Sequence, residues 1–186
     1  MNIFRLLLII LSVFAFSAEV SAQKFFTKDG QVRFESDAPL EKIEARNGKG
    51  TCVWDTESGA LEMAVLVKGF KFEKALMEEH FNENYMESDK FPKAVFKGKV
   101  VNMEEIDISK DGEYNATLSG NLTLHGVTNA IESPATFKVS GSSIAGMTSF
   151  EVAVADYGIE IPKLVSDNIA KIVKIDVDVD FKPLNK

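Results

Sequence analysis

Apolar and polar side chains alternate along most of this chain, with the period of two that is typical of half-buried antiparallel strands. The clearest case is Gly120 to Thr128, G-N-L-T-L-H-G-V-T, in which Leu122 and Leu124 point to one face. The alternation stops at His125-Gly126, which predicts a turn. The same period predicts strand segments at 30–36, 40–46, 50–55, 61–67, 94–102, 113–124, 131–139, 147–155 and 172–181. Asn47-Gly48, between the second and third of these, predicts a hairpin turn.

The segment from Glu73 to Asn84 departs from this period. Leu76, Met77, His80 and Phe81 fall on one stripe at i, i+1, i+4 and i+5, with glutamates at other positions. This spacing predicts an amphipathic α-helix of about three turns.

The order of these elements predicts an all-β architecture. Many antiparallel strands with mostly short turns and one short helix are typical of a closed barrel or of a sandwich, and the pattern alone does not choose between them. A barrel of about eight strands has an interior that holds side chains or one slender ligand. Residues 23–186 contain no internal repeat, low-complexity tract or Pro/Ser-rich linker, so we expect one domain there.

The first residues are expected to be an export signal rather than part of the fold. Arg5 is followed by an apolar run at 6–16, and Val20-Ser21-Ala22 provides the small residues typical of a cleavage site before Gln23. The apolar run is shorter than the ~20 residues that a membrane span requires. We therefore expect a cleaved signal peptide at 1–22, no stable membrane insertion, and a periplasmic or secreted protein.

The charge of the chain is acidic and argues against nucleic-acid binding. The formal net charge is −7, and removing residues 1–22 takes away one charge of each sign, Arg5 and Glu19, so it stays at −7. Phosphate contacts need concentrated lysine and arginine, and this sequence has no basic cluster. The same lack of basic clusters gives little attraction to anionic membrane surfaces.

The candidate chemical groups predict neither a catalytic site nor a metal site. His80 and His125 are the only histidines, and no zinc-binding spacing or G-x-S-x-G motif is present. We interpret His125 as a residue that satisfies backbone groups at a turn, and His80 as a packed or capping residue. Cys52, the only cysteine, is expected to be a small buried hydrophobe. The aspartates at 176, 178 and 180 are expected on a solvated outer face. No cofactor is predicted.

Four ordered motifs indicate a family. They are F-P-x-x-x-F at 91–96, G-x-L-T-L-H-G-V-T at 120–128, D-Y-G-I at 156–159, and an alternating last strand that ends at Phe181. In this order the sequence resembles the YceI-like family of secreted bacterial lipid-binding and polyisoprenoid-binding proteins, from about Gly30 to Phe181. The resemblance implies a single antiparallel lipocalin-like β-barrel with an elongated apolar cavity and a helical excursion over one barrel end.

The resemblance also implies a function, the non-catalytic binding of a long-chain apolar lipid of isoprenoid or fatty-acyl type. Phenylalanines cluster around the predicted helix, and from periodicity alone they fill a core as readily as they line a cavity. Tyr85 is expected near the mouth, where its hydroxyl could bond a headgroup. The residues predicted to line the cavity are Val65, Val67, Phe72, Phe81, Tyr85, Phe91, Phe96, Leu122, Leu124, Phe137, Phe150, Val152 and Ile159.

Two other functions stay open. The barrel could be packed solid and act as an interaction module that meets a partner, or a second copy in a homodimer, through its outer surface. An enzyme acting on a lipid-like substrate is the remaining alternative, although no acid–base pair stands out in the sequence.

Overall fold

The computed structural model describes residues 23–184, so the expected signal peptide at 1–22 lies outside the described residues. Nine strands form one antiparallel sheet in which β1 pairs with both β2 and β9, in the order β1-β9-β8-β7-β6-β5-β3-β2 with β4 beyond β2. Eight strands thus close a barrel, which confirms the predicted fold, and β4 is a short addition to β2. The strands are β1 (Lys24–Asp37), β2 (Lys42–Asp55), β3 (Ala60–Leu66), β4 (Lys71–Phe72), β5 (Lys93–Val100), β6 (Gly112–Leu124), β7 (Val127–Ser140), β8 (Ser143–Ala153) and β9 (Ile172–Pro183).

Alternation places one side of each strand inside the barrel. In β3, Leu61, Met63 and Val65 are buried, whereas Glu62 and Leu66 are exposed. This is the pattern expected of a closed sheet whose inner face excludes water.

The turn predicted between β6 and β7 is confirmed. Leu124 pairs with Val127, which leaves His125 and Gly126 as a two-residue hairpin loop. Both have positive φ, 49° and 77°. Positive φ at both central residues is the requirement of a type I′ turn, whose twist matches that of the flanking strands.

The turn predicted at Asn47-Gly48 is wrong, because β2 continues through it as one strand. The pairing register of β1 and β2 shifts here, with Gly30 opposite Gly50 and Val32 opposite Asn47. The Asn47 side chain donates to the Leu66 carbonyl at 2.9 Å and accepts from the Lys49 amide at 2.9 Å. These bonds stabilise a β-bulge, which bends the strand where a hairpin would have reversed it.

The predicted helix is present at nearly the predicted position, but only its first part is α-helical. The α-helix, α1, covers Ala75–His80 and continues as a π-helical turn over Phe81–Tyr85. The predicted apolar stripe is only partly correct, because Met77 and Phe81 are half-buried whereas Leu76 and His80 are exposed. Within residues 23–184, no helix combines the length and the apolar character needed to cross a membrane.

Short 3-10 turns complete the connections between strands. They cover Val67–Gly69, Met103–Glu105, Val154–Tyr157 and Lys163–Val165. The last two belong to the long connection between β8 and β9.

The two ends of the barrel differ. At one end, which we call the floor, Trp54 stacks on Phe137 with ring centroids 4.5 Å apart, and Phe181 packs against both rings. All three side chains are at most 2% exposed, so this end is filled. At the other end, which we call the mouth, the strands lead into the β1–β2 connection, the helix and the β8–β9 connection.

Candidate functional site

A cavity of about 460 Å³ occupies the barrel between the floor and the mouth. Its lining is almost entirely aliphatic and aromatic, and every long strand contributes to it. Its volume falls within the range of small-molecule sites, roughly 300–1,000 Å³. The floor side is lined by buried residues such as Cys52 and Phe181, whereas residues at the mouth, including His80 and Ile161, keep exposed surface. The cavity therefore opens at the mouth.

The inward-facing side chains show that the upper barrel is not packed solid. Phe34, Phe96, Ile131, Phe150 and Ile175 point inward and line the cavity, yet each is only half-buried. A close-packed core would remove such side chains from solvent almost completely. Because these residues lie inside a closed sheet, their remaining exposed surface faces the cavity.

Most of the predicted cavity residues lie where the sequence placed them. All line the cavity except Phe91, and whether they bind a ligand stays a prediction. Phe91 precedes β5, which begins at Lys93, and therefore lies in a loop rather than on the inner face of the strand. Its ring packs instead against the His125 imidazole, with centroids 4.8 Å apart.

Four phenylalanines form one wall of the cavity beneath the helix. Phe81 stacks on Phe34 at 5.3 Å between ring centroids, and lies 5.0 Å from Phe72 and 5.8 Å from Phe70. The predicted cavity residues included Phe72 and Phe81 but missed Phe70 and Phe34, although Phe34 lies on the alternating inner face of the first predicted strand. Once a barrel is assumed, that strand must contribute to the wall.

Residues near the chain terminus were also missed. Ile175, Val177 and Val179 of β9 line the cavity, and their alternation was visible in the sequence. Ile161 and Val165 line the mouth from the β8–β9 connection. This connection has no period of two, so no sequence signal marked them.

A pair of glycines gives Phe96 its place inside the barrel. Gly98 of β5 lies directly opposite Gly120 of β6. A Cβ atom would lie 2.6 Å from the Phe96 Cζ atom at Gly98 and 2.9 Å from it at Gly120. Because these separations are shorter than a van der Waals contact, the ring can cover this part of the wall only if both positions lack a side chain.

Polar groups at the mouth bond mainly to one another and to the backbone. The Glu41 carboxylate accepts from Lys74 at 3.1 Å and lies 3.5 Å from the Asn168 amide nitrogen. The Ser36 hydroxyl accepts from the Ala170 backbone amide at 2.8 Å. These contacts link β1, the β1–β2 connection, the start of the helix and the β8–β9 connection. They therefore fix the shape of the mouth.

His125 has the structural role predicted for it. Its Nδ1 lies 3.1 Å from the Tyr157 carbonyl and its Nε2 lies 3.0 Å from Glu87 Oε2. The imidazole thus ties the β6–β7 turn to two other loops, outside the cavity lining.

The prediction that His80 is packed or capping is wrong, because its side chain is exposed at the mouth. Cys52 and Asp176, by contrast, have structural roles. Cys52 is 1% exposed, and burial raises the pKa of its thiol to about 12, which confirms the predicted buried hydrophobe. Asp176 lies on the outer face, where its hydrogen bond with Arg33, 2.8 Å, is the main reason that its pKa is lowered to about 2. In the described part of the chain, no group of three or more His, Cys, Asp or Glu side chains is placed to hold a metal ion.

Comparison with solved structures identifies the same barrel in several bacterial proteins. A polyisoprenoid-binding domain from Saccharophagus degradans implicated in plant cell wall breakdown matches with a TM-score of 0.74 and 15% identity, over 88% of this chain and 99% of that one. Burkholderia cenocepacia BcnA matches with a TM-score of 0.67 and 14% identity, over 81% and 95%. The Campylobacter jejuni YceI protein matches with a TM-score of 0.55 and 14% identity, over 76% and 85%. At these identities the likeness shows the fold.

The family is identified by a match between the sequence and a family model. A search of curated proteins finds no match. The family model of the YceI-like domain matches residues 13–181. This range is most of the chain and includes every strand of the barrel except the last residues of β9. The chain therefore belongs to the YceI-like domain family.

Proposed function

We propose that the protein binds one long-chain apolar lipid, of isoprenoid or fatty-acyl type, in the barrel cavity and acts as a carrier or scavenger without catalysis. The observation that supports this most directly is the set of half-buried apolar side chains that face an open space of about 460 Å³. The structural neighbour from Saccharophagus degradans, described as a polyisoprenoid-binding domain, supports the same class of ligand.

Burial of apolar surface provides the binding free energy in this proposal. Each methylene group that moves from water into an apolar site gains roughly 0.8 kcal/mol. Micromolar binding corresponds to about −8 kcal/mol, which a long chain can supply even after the losses of translational and conformational freedom. Affinity should therefore rise with chain length until the chain reaches the Trp54–Phe137 floor.

The polar end of the lipid is proposed to stay at the mouth. The floor is filled by aromatic rings, whereas Tyr85 and His80 border the open end. Burial raises the pKa of the Tyr85 hydroxyl, so this group keeps its proton and can donate to a headgroup oxygen. We also propose that the protein works after export, in the periplasm or outside the cell, in line with the signal-like residues 1–22.

The test is to fill the cavity without disturbing the outside of the barrel. Ala94 of β5 lines the cavity and is half-buried, so Ala94→Trp places an indole in the path of the ligand. Ala130 of β7 is exposed, so Ala130→Trp is the matched control. Binding of a fluorescent polyene fatty acid and of a dansylated isoprenoid alcohol would be titrated on delipidated protein.

We expect the wild type and Ala130→Trp to bind at least one probe with similar affinity, and Ala94→Trp to bind it at least tenfold more weakly, which corresponds to about 1.4 kcal/mol. Thermal unfolding of all three proteins checks that they are folded. Undiminished binding by folded Ala94→Trp would place the ligand elsewhere. A wild type that binds neither probe, and yields no lipid on extraction, would favour the interaction module instead.

A further inference from the structure

Three leucines in the segments that connect strands at the mouth project into solvent, and we call them the rim leucines. Leu40 is 71% exposed, Leu76 is 61% exposed and Leu164 is 95% exposed. They come from three segments that are far apart in sequence, namely the β1–β2 connection, α1 and the 3-10 turn at Lys163–Val165. Single exposed leucines are common on protein surfaces, but a group of them around one opening is typical of an interaction site.

Hydrogen bonds hold the three segments together as one surface. The Leu40 backbone amide donates to the Asp167 carbonyl at 3.0 Å, which joins the β1–β2 connection to the β8–β9 connection. The Glu41 side chain accepts from Lys74, the residue before α1, at 3.1 Å. The rim leucines are therefore presented on a fixed frame rather than on independent loops.

Each rim leucine precedes a residue that lines the cavity. Glu41 follows Leu40, Met77 follows Leu76, and Val165 follows Leu164. Each segment thus directs one side chain inward and its neighbour outward at the edge of the opening. The apolar surface outside the mouth is in this way adjacent to the apolar surface of the cavity.

The charges on this surface argue for a lipid bilayer held by apolar contact rather than by electrostatic attraction. The nearby cations lie beside acidic groups, as Lys74 does with Glu41 and Lys71 does with Glu78. Anionic membranes attract clusters of several lysines or arginines, which are missing here. An uncharged or zwitterionic lipid surface fits exposed leucines better.

We infer that the mouth docks on the surface of a zwitterionic lipid bilayer by inserting the rim leucines, an inference that rests on the proposed lipid-binding function. Insertion brings the opening into contact with the acyl region, so a lipid can enter or leave the cavity without crossing water. Docking through three leucines is weak and reversible, because even one myristoyl chain gives only marginal membrane binding. Reversible docking suits a carrier that must leave the membrane after loading.

The first experiment measures partitioning of the protein onto phosphatidylcholine vesicles by flotation, without any added probe. The test variant is Leu40→Ser/Leu76→Ser/Leu164→Ser. The control is Val101→Ser/Leu184→Ser, because these residues are 45% and 46% exposed and lie at the floor end. We expect the test variant to partition at least tenfold more weakly, the control to match the wild type, and added salt to have little effect.

The second experiment separates docking from lipid binding. Transfer of the dansylated isoprenoid alcohol from protein to phosphatidylcholine vesicles is followed as vesicle concentration rises. Transfer by docking predicts a rate that increases with vesicle concentration in the wild type, and a slower rate in the test variant with unchanged probe affinity. Leu164→Trp should add indole emission that shifts to shorter wavelength when vesicles are present.

Several outcomes would overturn the inference. One is equal partitioning of the wild type and the test variant, and another is a transfer rate independent of vesicle concentration. A third is a wild-type dimer that the test variant dissociates, since the rim would then be covered by a second copy of the chain. Failure of the wild type to bind the probe would refute the proposed function and not the docking, because the flotation experiment uses no probe.

Discussion

Phe96 and Phe137 place the same side chain in two environments, so their replacement by alanine tests whether the upper barrel is open. Phe96 lines the cavity and is half-buried, whereas Phe137 is 2% exposed and stacks on Trp54 at the floor. Both lie in strands that are paired on either side, Phe96 opposite Met63 and Leu122. A difference in stability between the two variants therefore reflects packing.

The expected magnitudes follow from what each ring contacts. Removing a fully packed phenylalanine costs ~3–5 kcal/mol, because the loss of apolar burial is increased by the new void. This value applies to Phe137→Ala. Phe96 already faces open space on one side, so Phe96→Ala removes fewer contacts and should lower the unfolding free energy by about 1–2 kcal/mol. For a domain of this size each 1 kcal/mol shifts Tm by about 2–4 °C.

The assay is thermal and urea unfolding of delipidated wild type, Phe96→Ala and Phe137→Ala. We expect Tm to fall by about 3–6 °C for Phe96→Ala and by about 10 °C or more for Phe137→Ala. Equal losses of 3 kcal/mol or more in both variants would show that the ring of Phe96 is packed as in a solid core. The cavity would then be too small for the proposed ligand, and a function as an interaction module would be better supported.

Two further predictions concern pH and processing. The Arg33 hydrogen bond lowers the pKa of Asp176 from 3.8 to about 2, so the pair stabilises the fold above pH 4 and this contribution is lost as pH falls towards 2. Asp176→Asn should lower the unfolding free energy at pH 7 by about 2 kcal/mol and have little effect at pH 2, and urea unfolding with an equal difference at both pH values would contradict this. Intact-mass measurement of the exported protein should give a chain that begins at Gln23, and a mature protein that retains residues 1–22 would refute signal cleavage.

The strands and most of the cavity lining could be predicted from the sequence because both depend on one local property, the alternation of side chains. Leu122 and Phe150, for example, lie on inner faces that the pattern alone defines. The choice of a barrel over a sandwich was different. It depends on the pairing of β1 with β9, and alternation within a strand carries no information about its neighbour.

The errors have equally local causes. Asn47-Gly48 suits a hairpin turn, but the same residues form a β-bulge here because β1 pairs with β2 on both sides of them, and those long-range pairings are not visible in the local sequence. The sequence predicts Leu76 on the inner stripe of the helix, whereas the helix turns Met77 and Phe81 towards the cavity and leaves Leu76 exposed. Phe91 lies outside both the predicted strand and β5, so the alternation that assigns inner-face residues does not apply to it.

The pairing of the first strand with the last has a consequence for how the chain folds. The ring closes where Phe34 meets Ile175, so its final pairing joins residues near the two ends of the chain. Contacts between residues so far apart in the sequence form slowly. Until β9 pairs with them, β1 and β8 each keep an unpaired edge that can pair with a strand of another molecule. A growing chain therefore cannot complete its fold before Ile172–Pro183 is available. Any truncation that removes this strand should give aggregation rather than a smaller barrel.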